Sequence, residues 1–347
     1  MQKKVLWVSP FVMSLNRIDY WFWCRYFIDV YPECPYNCSY CNTLRRGFVR
    51  GLNYIHGLPG KGSTIGLGLV SDIYHAQPEN NKVTRSILEI LLDREHEVSI
   101  QTKSTTIAHD LDLLRQFAKR QSLRVTFTIL TLDMHIWRKI EGRAPSPEER
   151  LQTLSMLAEA DIPVGIAILP IIPSLTDDRQ ELTRLVREAK HRGAEWVLFS
   201  AFTPVKSFLE QPSMESVKAL VNDEESLTLR YREIKRFMID LLRGEGLSLR
   251  IPRPNPGPPD LRFHNRSVSE YLFNISYYHE LLENPVESAR FRRAAHQVND
   301  LRTSIKSIVF KKKLGYIKGI NPEIEKVIED IVVNGKCALY EELKQKL

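Results

Sequence analysis

Three thiols fall within eight residues in the stretch Cys34-Pro-Tyr-Asn-Cys38-Ser-Tyr-Cys41. Soft thiolate ligands at this density select an iron-sulfur cluster, zinc or copper(I), and a compact loop lets all three sulfurs turn toward one centre. Three ligands are one too few for a closed site. A structural zinc would need a fourth, for which His56 or Cys24 is at hand, whereas a four-iron cluster held by three cysteines keeps one iron open to a small molecule. Two disulfides cannot be made from three thiols, and nothing else in the chain suggests secretion. Buried free cysteines are common as small hydrophobes, but three of only five cysteines in one such window argue against packing alone.

A loop of this kind needs a rigid frame, and the hydrophobic pattern supplies one. The predicted strands are residues 26–31, which deliver the cysteine loop, then 64–70, 98–102, 124–130, 163–172 and 195–201. Helical patterns alternate with them at 82–94, 108–120, 137–142, 147 onward and 178–192. Ser146 before Pro147-Glu148-Glu149 reads as an N-cap. The strand at 163–172 is nearly all apolar, as in a parallel sheet covered on both faces. Six βα units make an α/β fold, a partial (β/α)6 version of the TIM-type barrel, whose chemistry sits where the strands' C-terminal ends converge.

Those strand ends hold the remaining candidates. Gly66 and Gly68 mark either close backbone approach to a ligand or tight packing, and Asp72 can accept from an ammonium. Lys103, with Ser104 beside it, either neutralises a carboxylate or phosphate or faces solvent. The hydroxyl of Thr131 and the carboxylate of Asp133 suit a sugar or an amino acid, and Thr131 is alternatively an ordinary helix N-cap or strand residue. Arg143 brings charge near the site or caps a helix, and Pro170, Pro173 and Ser174 stiffen a loop at the open face. His56, His75 and His135 have no ligand partner at metal spacing and read as ordinary core or surface histidines.

The cysteine spacing of three residues and then two, with aromatic Tyr40 before the last cysteine, resembles the signature of the radical S-adenosylmethionine (radical SAM) superfamily. The resemblance implies a four-iron four-sulfur (4Fe-4S) cluster on Cys34, Cys38 and Cys41. It also implies that the open iron takes the amino and carboxylate groups of S-adenosylmethionine, with Tyr40 near the adenine. The open barrel of six units is that superfamily's architecture. Many members carry a Gly-Gly-Glu motif after the second strand, and this sequence does not, so Gly66, Gly68 and Asp72 inherit only its general position. Across residues 27–204, the runs Thr102-Lys103-Ser104, Glu141-Gly142-Arg143-Ala144-Pro145-Ser146-Pro147 and 162–177 look like the branch that includes spore photoproduct lyase. That likeness assigns Lys103 to the carboxylate of S-adenosylmethionine. It implies an outside electron donor such as ferredoxin or flavodoxin, and hydrogen abstraction by a 5′-deoxyadenosyl radical. The lyase uses a further cysteine as hydrogen donor, and here only Cys24 and Cys337 remain, neither at the C-terminal end of a predicted strand.

The totals fit a globular protein, with 347 residues, 43% hydrophobic and 26% charged, and no stretch approaches a membrane span. The N-terminus does not read as a signal peptide, so the expected setting is cytoplasmic. Three divisions are expected: a wrapping, aromatic-rich segment at 1–24 with a short strand at 4–8, the barrel at 25–254, and a helical, partly basic extension at 255–347. The boundary is the proline-rich run 252–259, preceded by a helix at 227–243 and a seventh strand at 247–251. Between Arg290 and Lys318 nine cations, with Phe291, Phe310 and Tyr316 interleaved, face only Asp300 in sequence. That stripe is either a solvated helix face or a phosphate-tracking surface for nucleic acid. Two functions follow: a radical SAM enzyme with an unidentified substrate, or a non-enzymatic zinc or iron-sulfur protein that holds nucleic acid.

Overall fold

The computed structural model describes residues 11–14, 18–19, 21–29, 31, 34, 36–41, 63–74, 78–254 and 262–347. The chain divides into two compact units, Met1–Pro254 and Asn255–Leu347.

In the first unit one sheet of seven strands runs in chain order: β1 (Phe11–Ser14), β2 (Tyr26–Asp29), β3 (Thr64–Leu67), β4 (Glu97–Thr102), β5 (Leu123–Thr128), β6 (Val164–Ile171) and β7 (Trp196–Ala201). From β2 to β7 every neighbouring pair is parallel, while β1 pairs antiparallel with β2, Phe11 opposite Asp29. β1 is an addition to the expected architecture. It lies within the segment read as wrapping, and the strand expected at 4–8 lies outside the described residues.

Parallel strands need crossovers, and the helices provide them: α1 (Pro78–Asp93), α2 (Leu111–Lys119), α3 (Met134–Glu141), α4 (Pro147–Glu159) and α5 (Arg179–His191). Further on come α6 (Lys206–Leu209), α7 (Glu215–Val221) and α8 (Glu224–Glu245). Because helices cover the sheet, β3, with sequence TIGL, is buried at all four positions, and β5 and β6 are buried nearly throughout. In the interior, Gly165 leaves room for the Trp196 indole, since a Cβ there would meet the ring at 2.4 Å, and the indole Nε1 donates to Thr126 Oγ1 at 3.1 Å.

The helix ends follow local sequence. Ser146 and Glu149 close a capping box at α4 with Pro147 in its first turn, and Asp178 caps α5 through Glu181 N. The expected seventh strand at 247–251 contracts to one parallel bridge between Trp196 and Ser248. The barrel is open, for the sheet order ends at β7. Its two flanks are still tied, because the Trp23 indole, 1% exposed, donates to Ile251 O at 2.7 Å. The guanidinium groups of Arg250 and Arg253 lie 4.5 and 5.2 Å from that ring's centroid.

The second unit is helical: α9 (Arg262–Leu281), α10 (Pro285–Asn299), α11 (Ile305–Phe310), α12 (Pro322–Asn334) and α13 (Ala338–Lys346). Its core gathers Phe273, Phe291, Val298, Ile305, Ile328 and neighbours. Among the described residues no helix is long and apolar enough to cross a membrane.

Candidate functional site

A cavity of about 280 Å³ opens at the C-terminal ends of the parallel strands. Cys34, Cys38 and Cys41 line it together with Tyr40, Gly68, Asp72 and Lys103, so the cysteine loop after β2 and the ends of β3 and β4 share one wall. Gln101, Thr128, Pro170 and Ser200 carry the lining across β4 to β7. Side chains far apart in sequence meet here because parallel strands deliver all their C-terminal ends to one face.

The cysteine loop is held by backbone and side chain alike. Cys41 N donates to Cys38 O at 3.0 Å, and Ser39 N donates to Ile140 O at 3.0 Å, which docks the loop on the end of α3. Tyr40 OH donates to Glu141 Oε1. Burial pushes the Cys38 thiol up to about 12 and raises Cys34 as well, so ligation of a metal by this loop releases protons. Among the described residues no group of three or more His, Cys, Asp or Glu side chains, the three cysteines included, is drawn together closely enough to hold a metal ion without rearrangement. Three thiols on one cavity wall suit a cluster that keeps one iron open, whereas a closed zinc site would need a fourth ligand, and His56, a candidate for it, lies outside the described residues.

Gly68 has φ +78, and a Cβ there would meet Gln101 O at 1.9 Å, so only glycine lets β3 turn over the end of β4. Asp72 is buried and takes three donors: Thr102 Oγ1 and Lys103 N at 2.7 Å and Tyr74 N at 3.0 Å. Burial raises its pKa, against the pull of these hydrogen bonds. Lys103 Nζ lies 3.7 Å from Glu141 Oε1 and 5.8 Å from the centroid of the Tyr40 ring. Burial alone would lower its pKa, but Cys38 and Glu141 outweigh that, and the ammonium is held charged.

Glu141 and Arg150 are the residues that sequence reasoning missed. Arg150 is fully buried and donates to Glu141 Oε2 and Thr128 O, each at 2.7 Å, and to Pro145 O at 2.8 Å. The Glu141 carboxyl stays below its ordinary pKa: burial opposes ionisation, but Arg150 and Lys103 prevail. The signal was present, since Arg150 falls on the helical face that α4 otherwise gives to Leu151, Leu154 and Leu157. A charge at a core-facing position demands a partner.

The structure brings Cys34, Cys38, Cys41, Tyr40, Gly68, Asp72 and Lys103 together and leaves Gly66, Ser104, Thr131, Asp133 and Arg143 outside the lining. Gly66 lies within β3, where a Cβ would meet Leu69 and the Cys24 sulfur. Ser104 is buried and bonds Thr106 Oγ1 at 2.9 Å. Thr131 Oγ1 accepts from Asp133 N, and the Asp133 carboxylate caps α3. Arg143 is exposed on the turn after α3, and His135 is exposed too. His56 and His75 lie outside the described residues. Cys24 is buried beside Gly66 and Cys337 is buried within the second unit, and among the described residues the cavity lining holds no cysteine beyond the three.

Residues 67–186 match the family described as the Radical SAM superfamily. An uncharacterized protein of Methanocaldococcus jannaschii is 31% identical over 214 residues, which cover 57% of this chain and 80% of that protein. An uncharacterized protein of Mycobacterium tuberculosis is 24% identical over 200 residues, 50% of this chain and 57% of that one. The chain therefore spans little more than half the length of the mycobacterial relative. Spore photoproduct lyase complexed with dinucleoside spore photoproduct has a TM-score of 0.43 and 14% identity, over 58% of this chain and 65% of that one. With three clustered cysteines lining the mouth of an open barrel of parallel strands, the matched segment and the archaeal relative establish that this chain belongs to the radical SAM superfamily, whose enzymes use a 4Fe-4S cluster and S-adenosylmethionine.

Proposed function

We propose that the chain is a radical SAM enzyme of the spore photoproduct lyase-like branch, acting on a nucleic acid substrate. The observation that carries the enzyme reading is the shared cavity, where the three thiols, Lys103 and Asp72 face one space large enough for a small ligand. Cys34, Cys38 and Cys41 would hold the cluster. Held there, the cluster would supply one-electron reduction for cleavage of S-adenosylmethionine and, through it, hydrogen abstraction from the substrate. The residues of the chain bind and orient. Lys103, kept charged by its acidic surroundings, neutralises the carboxylate of S-adenosylmethionine, and Asp72, in the lining of the same cavity, accepts from its ammonium. Gly68 permits close approach of the β3 backbone. Tyr40, clamped by Glu141, fixes the loop that carries the three sulfurs. The electron comes from a ferredoxin or flavodoxin, and the basic stretch of the second unit supports a polyanionic substrate.

Anaerobic reconstitution followed by assay for 5′-deoxyadenosine tests the reading. Four irons per chain, with 5′-deoxyadenosine formed on reduction in the presence of S-adenosylmethionine, is the expected result. Zinc at full occupancy with four protein ligands, or no cluster at all, would overturn it.

A further inference from the structure

The nine cations from Arg290 to Lys318 are not one surface. Arg290 is matched by Glu287 and Glu323, and Arg292 by Glu280, so these two are neutralised within the second unit, while Arg293 beside them is exposed. What remains is different in kind. Arg302, Lys306, Lys311, Lys312, Lys313 and Lys318 are all exposed, and no ion pair neutralises them among the described residues. No Asp or Glu occurs between Asp300 and Glu323.

Two aromatic rings stand among these cations. Phe310 is 66% exposed and Tyr316 87%. Large aromatics left in water forfeit the burial that ordinarily recruits them, so two of them set among unpaired cations call for a partner. The platform that carries them is fixed. Ile305, Val309, Leu314 and Ile320 are buried beneath it, and Asn265 of α9 receives Ile305 N at 2.7 Å while donating to Leu301 O and Thr303 O. Lys306 and Phe310 lie one turn apart on α11, and a 3-10 turn over Leu314–Tyr316 presents the second ring.

We infer that this surface binds single-stranded nucleic acid, with the lysines tracking phosphates and Phe310 and Tyr316 stacking on unpaired bases. A duplex would use the cations but offer no base face to the rings. A membrane is a poorer fit: interfacial helices present a broad apolar face, and on α11 Ile305 and Val309 are buried and Ile308 half-buried, which leaves Phe310 as the one exposed apolar side chain of that helix. The inference deepens the nucleic acid reading above and is independent of the cofactor chemistry.

Fluorescence anisotropy with the full chain and labelled 20-nucleotide single strands of DNA and RNA, against the matching duplex, tests it. Single strands are expected to bind more tightly than duplex, with affinity falling as salt rises. Replacing Lys311, Lys312 and Lys313 together by alanine lowers the steepness of the log–log salt dependence by about 2, at roughly 0.7 per phosphate contact. Phe310→Ala and Tyr316→Ala each weaken single-strand binding about five- to a hundredfold, leave duplex binding unchanged, and do not alter the melting temperature. Binding to duplex as tight as to single strands, ring variants that bind like wild type, or binding only to phosphatidylserine vesicles would overturn the inference. Since the readout is binding without turnover, a failure of cluster loading counts against the enzyme reading and leaves this result standing.

Discussion

The Glu141 carboxylate and the Arg150 guanidinium meet at 2.7 Å with their side chains 3% and 0% exposed. An ion pair so buried adds little net stability over apolar residues of the same shape, but it holds geometry and is costly to break from one side. Here it fixes the oxygen that receives Tyr40 OH, and with it the cysteine loop.

Glu141→Gln therefore leaves Arg150 buried without a counter-charge, and urea unfolding should show a loss of about 3–5 kcal/mol. The double variant Glu141→Leu/Arg150→Met should recover most of that stability. It should still bind S-adenosylmethionine more weakly than wild type, because Tyr40 and Lys103 lose their anchor.

Lys103→Met keeps the length of the side chain and removes its charge. Equilibrium binding of S-adenosylmethionine to the reconstituted protein should weaken about ten- to a hundredfold, the range for a lost hydrogen bond to a charged group. Iron content should not change. Unaltered affinity would remove Lys103 from the ligand set.

Gly68→Ala collides with Gln101 O and forces alanine to a positive φ. A loss of about 1–3 kcal/mol in thermal or urea unfolding is expected from backbone strain alone, with a further loss of S-adenosylmethionine affinity as the β3 end is displaced.

Trp23→Ala deletes the one indole that ties Ile251 to the start of β2 and that lies beneath Arg250 and Arg253. Removal of a large buried aromatic costs about 3–5 kcal/mol. Hydrogen exchange should show added opening at β2 and at 248–251 before it reaches β5, which is flanked by four strands on one side and two on the other.

The capping box of α4 predicts a pH dependence. Hydrogen bonds from the Ser146 side chain, then its backbone, hold the Glu149 carboxyl below its ordinary value. A depressed folded-state pKa contributes stability that is fully present above the unfolded value, about 4.3, and is lost as pH falls through the folded one. Wild type should melt above Glu149→Gln at pH 7, and the gap should close on acidification below pH 4. A gap independent of pH would mean that the carboxylate charge plays no part in the cap.

The alternation of six strands and their helices, the Ser146 cap and the three thiols were legible in the sequence, because each rests on neighbours in the chain: side-chain period, turn chemistry and ligand spacing. The strand from 163 to 172 was read within a residue at each end, since a run buried on both faces is continuous in hydrophobicity. What lay beyond reach depends on contacts across the barrel. The antiparallel edge strand Phe11–Ser14 is only four residues long and forms by pairing with β2, not by its own pattern. A seventh strand looked plausible at 247–251, yet Ser248 finds only one bridging partner. Among the site candidates, Thr131 and Asp133 are committed to capping α3, and Arg143 faces solvent, while Arg150, one turn into α4, reaches back to Glu141 and Thr128. Composition and spacing determined which chemistry the chain can carry. Only the tertiary structure decided which charges share a low-dielectric wall with the thiols, because a parallel barrel brings together strand ends separated by dozens of residues.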